Sequence, residues 1–95
     1  ITIGQFHLGN AYPNPFNPTT NFNLIVEKTG DATINIIDIL GRQVATIYQG
    51  VLVKGHYNFS WDGKNNSGMT LGSGAYFTVV KMDKKIEIQK LLMLK

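Results

Sequence analysis

Gly55-His56-Tyr57-Asn58-Phe59-Ser60-Trp61-Asp62 is the stretch that decides the fold. Aromatic Tyr57, Phe59 and Trp61 alternate with polar His56, Asn58 and Ser60. A two-residue side-chain period puts all three rings on one face of a strand, whereas a helix would scatter them around its axis. A strand needs one buried face, so the rings read as half of a sandwich core. Turned to solvent instead, they would form a ligand platform.

The same period recurs on both sides. Upstream, Phe22, Leu24 and Val26 alternate with Asn21, Asn23 and Glu27, with Ile25 as the exception. Thr29-Gly30-Asp31 turns the chain, and Ala32, Ile34 and Ile36 alternate with Thr33 and Asn35 up to Ile37-Asp38. Leu40-Gly41-Arg42 breaks that run, and Val44 to Tyr48 reads as the returning strand, ending before Gly50. Downstream, Asp62-Gly63-Lys64-Asn65-Asn66-Ser67-Gly68 is a polar loop and Gly72-Ser73-Gly74 a second hinge. Ala75 to Val80 is a further strand, and after Met82-Asp83-Lys84-Lys85 the residues Ile86, Ile88, Leu91 and Met93 form the last strand or strand pair. No window of eleven residues keeps a helical stripe. About seven short strands in fewer than 100 residues specify an all-β, immunoglobulin-like antiparallel β-sandwich. Residues 1–8 are expected to be a linker or an edge strand, and 9–95 the sandwich.

Composition narrows the function. The 95 residues are 43% hydrophobic and 16% charged, the makeup of one globular domain. A chain this long buries roughly two-thirds of the surface its unfolded form exposes, enough for one core but a tight fit for a deep enzyme cleft. The longest apolar run is Leu91 to Leu94, far short of the ~20 residues of a membrane helix, so no membrane insertion is expected. No basic-then-apolar leader opens the chain, and a start at Ile1 rather than methionine suggests a processed chain or a fragment of a larger protein. The absence of cysteine excludes disulfide scaffolds, thiolate metal sites and thiol nucleophiles.

The formal charge of +3 is unevenly placed. Residues 1–80 carry four basic and four acidic side chains, whereas 81–95 carry Lys81, Lys84, Lys85, Lys90 and Lys95 against Asp83 and Glu87. Lysines on an edge hairpin discourage edge-to-edge aggregation, which accounts for Lys84 and Lys85. With one arginine and no basic stripe interleaved with aromatics, no nucleic-acid partner is expected. Catalytic constellations are missing as well. His7 and His56 have no serine in a nucleophile elbow, the six acids offer no pair that sequence can place together, and Lys64 interrupts the calcium-ligand pattern of the Asp62 loop.

Tyr12-Pro13-Asn14-Pro15-Phe16-Asn17-Pro18-Thr19-Thr20 stands apart. Three prolines remove three N–H donors and hold the preceding residues extended, so the strip cannot be a central strand. Pro15-Phe16-Asn17-Pro18 fits a polyproline-ligand pattern without the usual flanking arginine. The simpler account is a rigid lead-in that caps an open edge of the sandwich and delivers the chain into Phe22.

Five motifs in order carry a family resemblance: the proline strip; Ile36-Ile37-Asp38 with Leu40-Gly41-Arg42-Gln43-Val44; Gly55-His56 with Trp61-Asp62-Gly63; Ser73-Gly74-Ala75-Tyr76-Phe77; and Lys90-Leu91-Leu92-Met93-Leu94-Lys95. Together, over about residues 8 to 95, they resemble the type A C-terminal sorting domain of the type IX secretion system, itself close to the immunoglobulin-like domain of flagellar hook-capping proteins. Gly72 and Ala75 depart from the usual residues without touching the motifs. The resemblance implies a non-catalytic signal without cofactor or metal, carried behind an N-terminal cargo domain. It also implies recognition by an outer-membrane translocon, its shuttle protein and a sortase, on the way through the periplasm to the cell surface or exterior. The recognition residues it implies are Pro13, Asn14 and Pro15; Gly74 and Tyr76; and Lys90, Leu91, Leu92, Met93, Leu94 and Lys95. The last strand is expected to pair with or dock against the receptor, with alternate apolar side chains in pockets and Lys90 or Lys95 meeting acidic groups. An accessory module, carbohydrate-binding or hook-capping-like, is the alternative; outward-facing Tyr57, Phe59 and Trp61 would favour sugar binding.

Overall fold

The alternation of residues 55–61 is realised as a strand whose Trp61 is buried, whose Tyr57 and Phe59 are half-buried against the core, and whose His56, Asn58 and Ser60 face solvent. It is one of seven strands in the computed structural model, which describes residues 5–95. In chain order these are β1 (Phe6–Leu8), β2 (Thr20–Val26), β3 (Gly30–Asp38), β4 (Gln43–Leu52), β5 (Gly55–Trp61), β6 (Gly74–Met82) and β7 (Lys85–Met93). They form a three-stranded sheet, β1-β2-β5, and a four-stranded sheet, β4-β3-β6-β7, with every strand pair antiparallel. The alternating inward residues of both sheets make the core, in which Phe6, Phe16, Phe22, Leu24, Ile34, Ile36, Met82, Leu91 and Met93 are its largest fully buried members. Of the N-terminal stretch expected as linker or edge strand, residues 1–4 lie outside the described residues, and Phe6–Leu8 is a strand at a sheet edge.

Two strands differ from the reading of the sequence. β4 runs on to Leu52 rather than stopping before Gly50, because pairing with β3 carries it through Gly50 opposite Ala32. Two register shifts in that pair, at Ile34/Asn35 and Ile36/Ile37, disguise the strand's period. The last segment is one strand of nine residues, and its parity is unexpected: Ile86 and Ile88 face solvent, while Lys85, Glu87 and Gln89 share the inward side with Leu91 and Met93.

That parity has a cause on the opposite sheet. Phe6 and Leu8 turn backbone groups toward the free side of β1, and β7 satisfies them: the Lys85 ammonium donates to the Phe6 carbonyl (2.8 Å), and the Leu8 amide donates to a Glu87 carboxylate oxygen (3.3 Å). The Ala11 amide donates to Gln89 Oε1 at 2.8 Å. Lys85 also pairs with Glu87 at 2.9 Å and lies 4.9 Å from the Phe6 ring centroid. Lys85 is thus a seam residue joining the sheets, not the solvated guard that its place in a lysine-rich turn suggests.

Candidate functional site

The proline strip closes the end of the sandwich where the last strand finishes. It starts beside β2, with Tyr12 and Asn21 exchanging backbone hydrogen bonds of 2.7 and 2.9 Å, and crosses to the other sheet, where Phe16 forms a parallel bridge with Met93. Between these points Asn14 meets the outer edge of β7. Its Nδ2 donates to the Lys90 carbonyl and its Oδ1 accepts from the Leu92 amide, both at 2.9 Å. The Phe16 amide then donates to the Leu92 carbonyl (2.9 Å), and the Leu94 amide to the Phe16 carbonyl (3.0 Å). One carboxamide supplies the donor and acceptor that a neighbouring strand would offer, where proline on either side has no N–H to give. The lead-in does cap an open edge, and the edge is that of β7. Behind it, the buried Thr20 hydroxyl donates to the Pro13 carbonyl at 2.7 Å and ties the strip to the start of β2.

Beneath the strip the aromatic side chains connect. Phe16 packs on Trp61 with ring centroids 5.7 Å apart, and Trp61 meets Tyr76 edge-on at 5.2 Å. The Tyr76 hydroxyl donates to the Gly72 carbonyl at 2.7 Å, four residues upstream, a tie like the tyrosine corner of immunoglobulin-type sandwiches. Burial raises the Tyr76 pKa, helped by the negative charge of Asp38, its cross-strand neighbour. Asp38 itself is pushed up by desolvation but ends below its usual value. The Arg42 and Leu40 amides each donate to its Oδ1, and the Arg42 guanidinium to its Oδ2 at 2.8 Å. Gly63 has φ +76°, and a Cβ there would lie 2.9 Å from Met93 Sδ and 3.3 Å from the Pro18 carbonyl oxygen, so only glycine fits under the last strand. Gly74 has φ +148° with open space around it, so its requirement is conformational alone.

The residues implied by the family resemblance therefore form one assembly, in which they divide by accessibility. Pro13, Asn14, Pro15, Lys90, Leu94 and Lys95 are exposed, and Leu92 and Gly74 half-buried. Tyr76, Leu91 and Met93 lie in the core, so in the folded domain they position the others and do not themselves reach a partner. The Lys95 amide donates to Ser73 Oγ at 3.0 Å, which joins the chain's end to the Gly74 motif. Phe16, Trp61 and Gly63 belong to this assembly although the site reading of the sequence passed over them. Their signal was present, since Phe16 lies within the proline strip and Trp61 and Gly63 within the Trp61-Asp62-Gly63 motif.

Elsewhere the loops hold themselves. Asp62 Oδ1 accepts from the Lys64 amide, and Asn65 Oδ1 accepts from the Ser67 and Met69 amides, the hydrogen bonding of a polar turn. Phe59 sits among Phe22, Tyr48 and Tyr57 at centroid distances of 5.9, 5.8 and 6.1 Å, so the β5 rings pack on one another and on the core, not as a platform in solvent. Among the described residues no helix is long and apolar enough to cross a membrane.

Comparison with known proteins adds the following. Basal-body rod modification protein FlgD of Salmonella typhimurium is 39% identical over 59 residues, which is 61% of this chain. The match spans a quarter of that curated relative's length. Among solved structures, dimeric latent PorU from Porphyromonas gingivalis superposes with a TM-score of 0.70 at 18% identity, over 97% of this chain and 10% of PorU. FlgD from P. aeruginosa gives 0.60 at 28% identity, over 78% of this chain and 60% of the other. PorZ, an essential surface component of the type-IX secretion system of Porphyromonas gingivalis, gives 0.58 at 21%, over 90% and 11%. At those identities the PorU and PorZ likenesses establish the sandwich fold. The FlgD Ig-like domain family matches residues 9–85, most of the sequence, and the chain belongs to that family.

Proposed function

We propose that this domain is a non-catalytic C-terminal sorting signal that routes a cargo protein through the type IX secretion translocon to the cell surface or exterior. The observation that carries the reading is the clasp: the proline motif and the terminal motif, 76 or more residues apart, meet through the two Asn14 side-chain hydrogen bonds. A signal shared by unrelated cargoes has to be a self-folding module whose terminal segment is presented in a defined geometry, and the clasp supplies that geometry. At the level of fold alone, the sandwich also occurs within PorZ.

The test is a reporter fused ahead of the domain and expressed in a bacterium with type IX export. Removing Leu91 to Lys95 would take two core side chains with it, so the informative truncation is Leu94-Lys95. It deletes exposed residues and the hydrogen bonds of two amides, Leu94 to the Phe16 carbonyl and Lys95 to Ser73 Oγ. The expected result is a folded domain whose reporter stays in the periplasm, and normal delivery of that truncation would count against the reading.

A second reading is favoured by the 39% identity to Salmonella FlgD: an assembly module of hook-capping type. It predicts that the truncation is without effect on export and that the domain incorporates into a polymeric structure.

A further inference from the structure

On its β6–β7 half, the solvent side of the four-stranded sheet is not the polar surface that a half-buried antiparallel sheet normally presents. Along β7 the outward residues are Ile86, Ile88, Lys90 and Leu92. Register sets Ile88 beside Val79, and Lys90 beside Phe77, which itself neighbours Ile37 on β3. Ile86 and Ile88 are 54% and 60% exposed, while Phe77, Val79, Ile37 and Leu92 are half-exposed. The result is an apolar patch on the β6–β7 half of the sheet, interrupted by two cations, Lys90 and Lys81, the latter beside Ile86, and bordered on β3 by polar Thr33 and Asn35. The nearest acids, Asp31 and Asp83, line one depression with Lys81 at the corner of the patch, which leaves Lys90 as the cation set among the apolar residues.

We infer that this face is the domain's docking surface, and that its occupant is a partner protein of the export machinery presenting an apolar patch with acidic groups at its rim. Charge and topology select that occupant. Two copies of the domain packed face to face would bring like-charged lysines into a shared apolar interface, which is costly. Strand addition to the C-terminal half of β7 is blocked, because Asn14 and Phe16 already use the Lys90 and Leu92 carbonyls and the Leu92 and Leu94 amides. On that half a partner meets the strand through its outward side chains, Lys90 and Leu92, rather than the buried Leu91 and Met93, and Ile86 and Ile88 continue the same row. The inference rests on the sorting reading and names the surface that reading requires.

The test compares the reporter fusion carrying the full 95-residue chain with its Ile88→Glu, Ile88→Thr, Lys90→Glu and Lys54→Glu variants. Thermal melts are recorded for each, and Ile88→Thr, which keeps a β-branched side chain, stands in if the glutamate variant fails to fold. A fall in surface delivery of about tenfold is expected for Ile88→Glu and Lys90→Glu, the effect of losing one good interaction. Lys54→Glu makes the same charge change off the face and is expected to deliver normally. Normal delivery of folded Ile88→Glu or Ile88→Thr, with the parent fusion exported, would overturn the docking face and leave the sorting reading standing. Failure of the parent fusion itself would overturn both. A dimer in sedimentation that dissolves on Ile88→Glu would reassign the face to self-association and also overturn the proposal.

Discussion

Asn14 is where the two ends of the chain meet, and its neighbours set what substitution costs. Each backbone hydrogen bond it makes contributes about 1 kcal/mol, so Asn14→Ala is expected to destabilise the domain by about 1–2 kcal/mol, a drop in Tm of several degrees for a chain of this size. Gly63→Ala is expected to cost more, about 2–3 kcal/mol, since it adds left-handed strain to an overlap with buried Met93. Thr78 runs the other way. Its buried hydroxyl has no hydrogen-bond partner, so Thr78→Val, of nearly the same shape, is expected to stabilise by about 1 kcal/mol, read as a higher urea midpoint at unchanged slope. Tyr76 gives a pH signature. Its folded pKa lies above the usual 10, so its contribution is complete below pH 10 and is lost as pH rises through the folded value. Stability measured across that alkaline limb should fall in the parent and flatten in Tyr76→Phe, from a lower starting point because the bond to Gly72 is gone.

β7 is two half-strands with different work. Its first half turns Lys85, Glu87 and Gln89 inward to satisfy β1 and the segment after it, and its second half turns Leu91 and Met93 into the core beneath the clasp. Amide exchange should report this division: the Leu92 amide is protected in the parent by Asn14 and exchanges about tenfold faster in Asn14→Ala, while core amides of β3 and β6 are unchanged. The strand itself was legible from its apolar residues, but its facing was not. Alternation shows only that residues two apart share a side, and Ile86 and Ile88 present a better apolar row than the polar, half-buried set that is actually turned inward. The deciding partners, Phe6 and Leu8, are 79 residues away, beyond any local pattern. β4 was obscured for a different reason, since its register shifts break the period that reveals a strand. In β5 the period is unbroken, and in β2 only Ile25 departs from it, so there the residues named their own faces.

At the scale of the whole molecule, motifs separate in sequence become one end of a sandwich. The proline strip, the Gly74-Tyr76 hinge and the terminal strand were readable as motifs; that they contact one another through Asn14, Ser73 and the Phe16–Trp61–Tyr76 rings required the fold. The positive charge of the last fifteen residues acquires a direction in the same way. Lys85 is drawn into the seam between sheets, while Lys81 and Lys90 are set out on an apolar face. The measurement that tests the account most directly is the surface-accessible fraction of a reporter carrying this domain at its C-terminus in a type IX-secreting bacterium, alongside the same reporter without it. The account predicts that the domain moves the reporter from the periplasm to the surface or medium. Equal periplasmic retention of both, with the domain folded, would contradict it.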